Sequence, residues 1–127
     1  MNNSIIIAYA KNEKGGNIVA DLISKALTSD IELYLSVINW GEIYYITLRT
    51  QGKEKTELFK TTLARFPVTI VDADKELTAH AAELKAFNKI SYADAFAAAL
   101  SKIKKAVLVT GDKEFQALEK EIKISWI

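Results

Sequence analysis

Three acids in this chain stand where apolar segments end or helical ones begin. Asp112 follows the run AVLVT (106–110) inside the turn Thr110-Gly111-Asp112. Asp94 closes Ser91-Tyr92-Ala93-Asp94 and is followed by the almost wholly apolar AFAAAL. Glu42 sits within INWGEIYYI (38–46), among apolar and aromatic neighbours. Each has an ordinary explanation. Asp112 is suited to cap a helix, where its oxygen accepts a backbone N–H and its charge meets the dipole. Ser91 three residues before Asp94 has capping-box spacing. Glu42 fits a solvent-facing position on an amphipathic helix, near Asn39 or Arg49. Against this, a helix as apolar as the one after Asp94 is buried on most sides. A carboxylate among apolar residues is rarely buried unless paired or bound to a cation. If the strands are adjacent, the three acids converge at one sheet edge. Clustered carboxylates repel unless a cation neutralises them, and oxygen-only ligands suit Mg²⁺ or Mn²⁺. The corresponding chemistry is metal-assisted phosphodiester hydrolysis.

The elements that must position these acids alternate between strand and helix. Residues 16–29 put Ile18, Leu22, Ile23 and Ala26 on one helical face. In 31–37 the apolar residues Ile31, Leu33, Leu35 and Val37 alternate as in a strand. The spacing turns helical from Asn39 to Thr50, with Gly52 as a stop signal. A second helix over 53–65 must break before Pro67. Val68–Val71 reads as a strand, 74–87 as a helix, Ser91 to about Lys102 as another, and Ala106–Thr110 as a buried strand. Asp112–Leu118 forms a short helix and Ile122–Trp126 a last strand. This pattern predicts an α/β fold with a mainly parallel sheet, whose ligand site lies beyond the carboxyl ends of its strands.

Composition narrows the class. The chain has 127 residues, half of them hydrophobic, with one proline and no low-complexity linker, so one domain over 1–127 is expected. A formal net charge of +1 argues against general DNA coating, which needs a large positive excess. With no cysteine and a single histidine, thiolate chemistry and a multi-histidine metal site are excluded. No apolar run reaches the roughly 20 residues of a membrane span, and the start does not read as a signal peptide. A cytoplasmic location is expected.

Other residues attract attention and read better as structural. His80, between Leu77 and Leu84, is expected to be partly buried rather than a general base. Tyr44 and Tyr45 suit core packing or a dimer interface better than base stacking. Lys102, Lys104 and Lys105 fit a solvated helix end. Trp126 is expected to pack on the last strand.

The run ISYADAFAAAL, with TGDKEF beginning 16 residues after its Asp, resembles the second half of PIN-domain nucleases. SVINWGEIYY resembles their glutamate-bearing helix, and NNSIIIAYA their first motif, usually an Asp followed by small polar and then apolar residues. The motifs occur in the family's order over almost the whole chain. They are most similar to VapC-type toxins of prokaryotic type II toxin–antitoxin systems, with an archaeal look. The resemblance implies a three-layer α/β/α sandwich with a mainly parallel sheet of about five strands. It implies a Mg²⁺- or Mn²⁺-dependent endoribonuclease that cuts single-stranded RNA through activated water, leaving a 5′-phosphate and a 3′-hydroxyl. Glu42, Asp94 and Asp112 would be catalytic and would hold metal. Ser4 and Thr110 match polar positions bordering the site, and Lys11 and Lys14 are candidates for RNA phosphate contacts. A homodimer and a VapB-type antitoxin are the implied partners.

The first motif departs from the family. Counting back from Ala8-Tyr9, its acidic position falls on Asn2, which offers the metal an oxygen without a charge. A catalytically inactive PIN domain that binds RNA or antitoxin is therefore the alternative function. The family also has an apolar strand before that motif, where this chain has only Met1. Either the start is altered, or Ser4–Ala10 takes the strand position and moves the first motif.

Overall fold

In the computed structural model the residues described are 4–8 and 31–126. The helix expected over 16–29, together with Asn2, Lys11 and Lys14, lies outside them. The elements are β1 (Ser4–Ile7), β2 (Glu32–Ser36), α1 (Val37–Gln51), α2 (Lys53–Arg65), β3 (Val68–Val71), α3 (Lys75–Phe87), α4 (Tyr92–Lys104), β4 (Val107–Thr110), a 3₁₀ turn (Lys113–Leu118) and β5 (Ile124–Trp126).

The five strands form one sheet in the order β3-β2-β1-β4-β5, every pairing parallel. β1 is central: Ile5 pairs with Leu33 of β2 and with Val107 of β4. A parallel sheet needs both faces covered, and side chains alternate between them. Ile6 and Ala8 turn to one face, in a core with Leu108, Leu77 and Ala81 of α3, and Ala95–Leu100 of α4. Ile7, Leu33 and Leu35 turn to the other, against Trp40 and Ile43 of α1 and Leu63 of α2. The α/β fold expected from the alternating pattern and the three-layer sandwich implied by the resemblance are therefore present, with a fully parallel sheet.

Local chemistry sets the boundaries. Ser36 accepts a hydrogen bond from Asn39 N at 3.1 Å, so α1 starts at Val37, two residues before the periodicity turns helical. Gly52 ends it with φ +89°, a conformation that favours glycine, and leads into α2. Asp74 caps α3, accepting from Leu77 N at 2.8 Å.

The described part of the Ser4–Ala10 span takes the strand position. Ser4–Ile7 is the central strand, and Ala8 ends it, its N–H donating to Val109 O at 3.1 Å. Two expected packing residues are on the surface instead. His80 is exposed on α3, and Trp126 is exposed on β5, which among the described residues has a neighbour on one side only.

Candidate metal centre

The strand order reverses between β1 and β4: the chain runs outward through β2 and β3 on one side, then through β4 and β5 on the other. In open parallel sheets the crevice at such a point, beyond the carboxyl ends, is where ligands bind. Here Asp112 follows β4, α1 with Glu42 follows β2, and the first turn of α4 brings Asp94. One carboxylate oxygen each from Asp94, Asp112 and Glu114 lie within 4.8 Å of one another.

Each acid is held by a backbone hydrogen bond. Asp112 caps the 3₁₀ turn, accepting from Glu114 N at 2.9 Å, and its own N–H donates to the Thr110 hydroxyl at 3.0 Å. The cap expected for Asp112 is thus real, and it leaves the second carboxylate oxygen free of that duty. Asp94 N donates to Ser91 Oγ at 3.1 Å, the forward half of a capping box. The return half comes from elsewhere: Glu114 Oε1 accepts from Ser91 N at 2.9 Å. Asp94 is therefore released from capping. It is only 6% exposed, and its Oδ2 has no hydrogen-bond partner among the described residues. Neither ion pair found among those residues, Lys60–Glu57 and Lys102–Glu121, involves the cluster.

The electrostatics follow from this crowding. Asp94 is pushed up to about 8, first by burial and then by Asp112 beside it, with Glu114 and Glu42 adding to the effect. Glu42 is half-buried, and its carboxyl is raised by burial, then by Asp112 and Glu114. Glu42 thus lies near enough to feel the charge of Asp112 and Glu114, while the carboxylates within 4.8 Å of one another are those of Asp94, Asp112 and Glu114. A buried carboxylate oxygen without a partner, beside two further carboxylates, is a donor set suited to a hard divalent cation.

The remaining sequence candidates divide. Thr110 is fully buried beside Asp112, at the carboxyl end of β4. Ser4 does not border the cluster. It starts β1, and because β1 runs parallel to β4 it lies at the opposite, amino end of the sheet from Asp112. At the carboxyl end of β1 stands Ala8, buried and without a polar side chain. Glu114 was not among the expected site residues. Its signal was the Asp112-Lys113-Glu114 spacing, which a tight turn converts into two acids on one side.

The PIN-domain family profile matches residues 3–121. Among curated proteins none matches the sequence. Solved structures with the same fold include VapBC2 from Rickettsia felis bound to a DNA fragment of its promoter, at 20% identity and a TM-score of 0.74 over 98% of each chain. VapBC-1 from nontypeable Haemophilus influenzae aligns over 97% of both chains at 17% identity and a TM-score of 0.71. Mycobacterium tuberculosis VapC20, a sarcin–ricin loop cleaving toxin, aligns over 89% of this chain and 93% of its own at 16% identity and a TM-score of 0.69. At such identities these structures speak for the fold, while the profile covers nearly the whole sequence: the chain belongs to the PIN-domain family.

Proposed function

We propose that this chain is the toxin of a VapBC-type toxin–antitoxin pair, an endoribonuclease that uses Mg²⁺ or Mn²⁺ to cut single-stranded RNA. The observation that carries the reading is the buried, unpartnered Oδ2 of Asp94 beside Asp112 and Glu114. These three acids would hold the cation, with Glu42 contributing charge from α1. When bound, a divalent cation supplies an activated water and neutralises charge developing at the phosphodiester. The chain's own residues fix the acids: Thr110 orients the turn of Asp112, and Ser91 ties α4 to Glu114. The solved VapBC structures support a VapB-type antitoxin as partner, and the RNA-cleaving VapC20 supports RNA as substrate. We further place the protein in the cytoplasm as a homodimer. Among the described residues no helix is long and apolar enough to cross a membrane.

A second reading has an observation in its favour. The central strand ends in Ala8 and brings no carboxylate to the site. A PIN domain that binds RNA or antitoxin without cleaving would tolerate that. Cleavage of a labelled single-stranded RNA in Mg²⁺ and Mn²⁺ decides between them. Cutting that stops with EDTA and with Asp94→Asn supports the nuclease. Intact RNA across several substrates, with folded protein, supports the binding module.

A further inference from the structure

We infer that Asn39 is a positioning residue for the cation site: its side chain bolts α1 to α4 and so sets Glu42 against Asp94. The inference rests on the cation reading above and goes beyond it by adding a residue outside the acids. Asn39 is 1% exposed, one of the most deeply buried polar side chains in the protein. Its Oδ1 accepts from Ser36 Oγ at 2.6 Å, and its Nδ2 donates to Ala93 O at 3.0 Å. Ser36 is fully buried at the carboxyl end of β2. Ala93 immediately precedes Asp94 in the first turn of α4. One amide therefore joins the end of β2, the start of α1 and the start of α4.

Asn39 and Glu42 lie three residues apart on α1, one above the other on the same helix face. The acid thus lies on the side of α1 from which Asn39 reaches α4. A buried amide that kept only helix packing would need no partner on another helix, and its desolvation is costly unless both ends are satisfied. Here both are, and the partner chosen is the peptide that carries Asp94. Groups that orient ligands in this way commonly change metal affinity about 10- to 100-fold when removed.

The test is Mn²⁺ affinity by titration calorimetry on the full chain. Asn39→Leu keeps the volume and removes the bridge, and Ser36→Ala keeps the amide but removes the hydroxyl that orients it and that also caps α1. Thr56→Val is the control for stability. Thr56 is 2% exposed and bonds Gly52 O, beyond the far end of α1. N39L should weaken Mn²⁺ about tenfold or more and S36A by less in the same direction, while T56V stays within about twofold of wild type. Wild-type affinity in both N39L and S36A overturns the inference, as does a loss in T56V that matches theirs at equal loss of melting temperature. If N39L does not fold, S36A and Asn39→Ala decide by the same comparison. No Mn²⁺ bound by the wild type itself overturns the cation reading, and this inference with it, a result distinct from affinity that survives loss of the bridge.

Discussion

Glu114 accepts the hydrogen bond from Ser91 N that Asp94, three residues after Ser91, would take in an ordinary capping box. The acid that caps α4 comes from 23 residues downstream, and the acid in the capping position is left buried with an unsatisfied oxygen. A helix start has in this way been built with one carboxylate to spare. Glu114→Gln keeps an acceptor for Ser91 N and removes the charge. It should leave urea stability within about 0.5 kcal/mol of wild type, whereas Glu114→Ala should cost about 1 kcal/mol through the lost cap. Both should weaken Mn²⁺ binding. Equal stability of the two variants would refute a capping role for Glu114.

The metal-free protein should lose stability as pH rises. Asp94 sits at about 8 when folded, against an ordinary value of 3.8, so between those limits the folded state binds more protons than the unfolded state. Stability is then fully present below about pH 4 with respect to this group and falls as pH climbs toward 8. Glu42 is shifted in the same direction and adds to the slope. Melting temperature measured in EDTA from pH 5 to pH 8 should therefore decline. Asp94→Asn, which removes the charge at similar shape, should flatten the decline and raise the melting temperature at pH 8. A parallel slope in the variant would place the titration elsewhere.

Phe115, on the 3₁₀ turn between β4 and β5, is fully buried in the core with Leu108, Leu118 and Ile122, and it anchors the turn that presents Asp112 and Glu114. Phe115→Ala should cost about 3–5 kcal/mol, by lost transfer energy and the cavity left behind. Denaturant unfolding measures the cost directly. A value near 1 kcal/mol would show that the turn collapses onto the space and is less rigid than its burial implies.

How far the sequence disclosed this site depends on which physical signal each residue carries. Period-two spacing located β2, short apolar runs located β3 and β4, and helical spacing located the four helices, because one-sided and two-sided burial impose those patterns. Asp94 and Asp112 were visible because each interrupts an apolar run at a helix start. The role of Glu114 was hidden: the Asp112-Lys113-Glu114 spacing is a weak local signal, and the Glu114 hydrogen bond to Ser91 spans the fold. Asn39 was hidden too, since a buried amide with a partner 54 residues away looks like any polar residue on an amphipathic helix. The placement of the first motif failed differently. Four residues, Ser4–Ile7, are too few for the alternation test on a strand buried on both faces. The register of the motif could thus be set by the parallel pairing of Ile7 with Val109 but not by the sequence.

That register makes Ala8 the position to change. It ends the central strand, and it packs with the core residues that lie beneath α4, on the side that carries Asp94. Ala8→Asp would add a carboxylate at the carboxyl edge between the ends of β2 and β4. Without metal, a further buried charge beside Asp94 and Asp112 is unfavourable, so the variant should melt below wild type in EDTA, by more at pH 8 than at pH 5. With Mn²⁺ the new acid should act as a further ligand. The variant should regain stability with added metal in proportion to the gain in affinity, since a ligand that binds only the folded state stabilises it by mass action. Thermal melts of both proteins across a Mn²⁺ series read the two effects together. Curves for Ala8→Asp that rise more steeply with metal than wild type would show that the strand end faces the cation site. Curves that stay depressed at all Mn²⁺ concentrations would mean that residue 8 is simply core, and that the acids of α4 and the 3₁₀ turn work without the central strand.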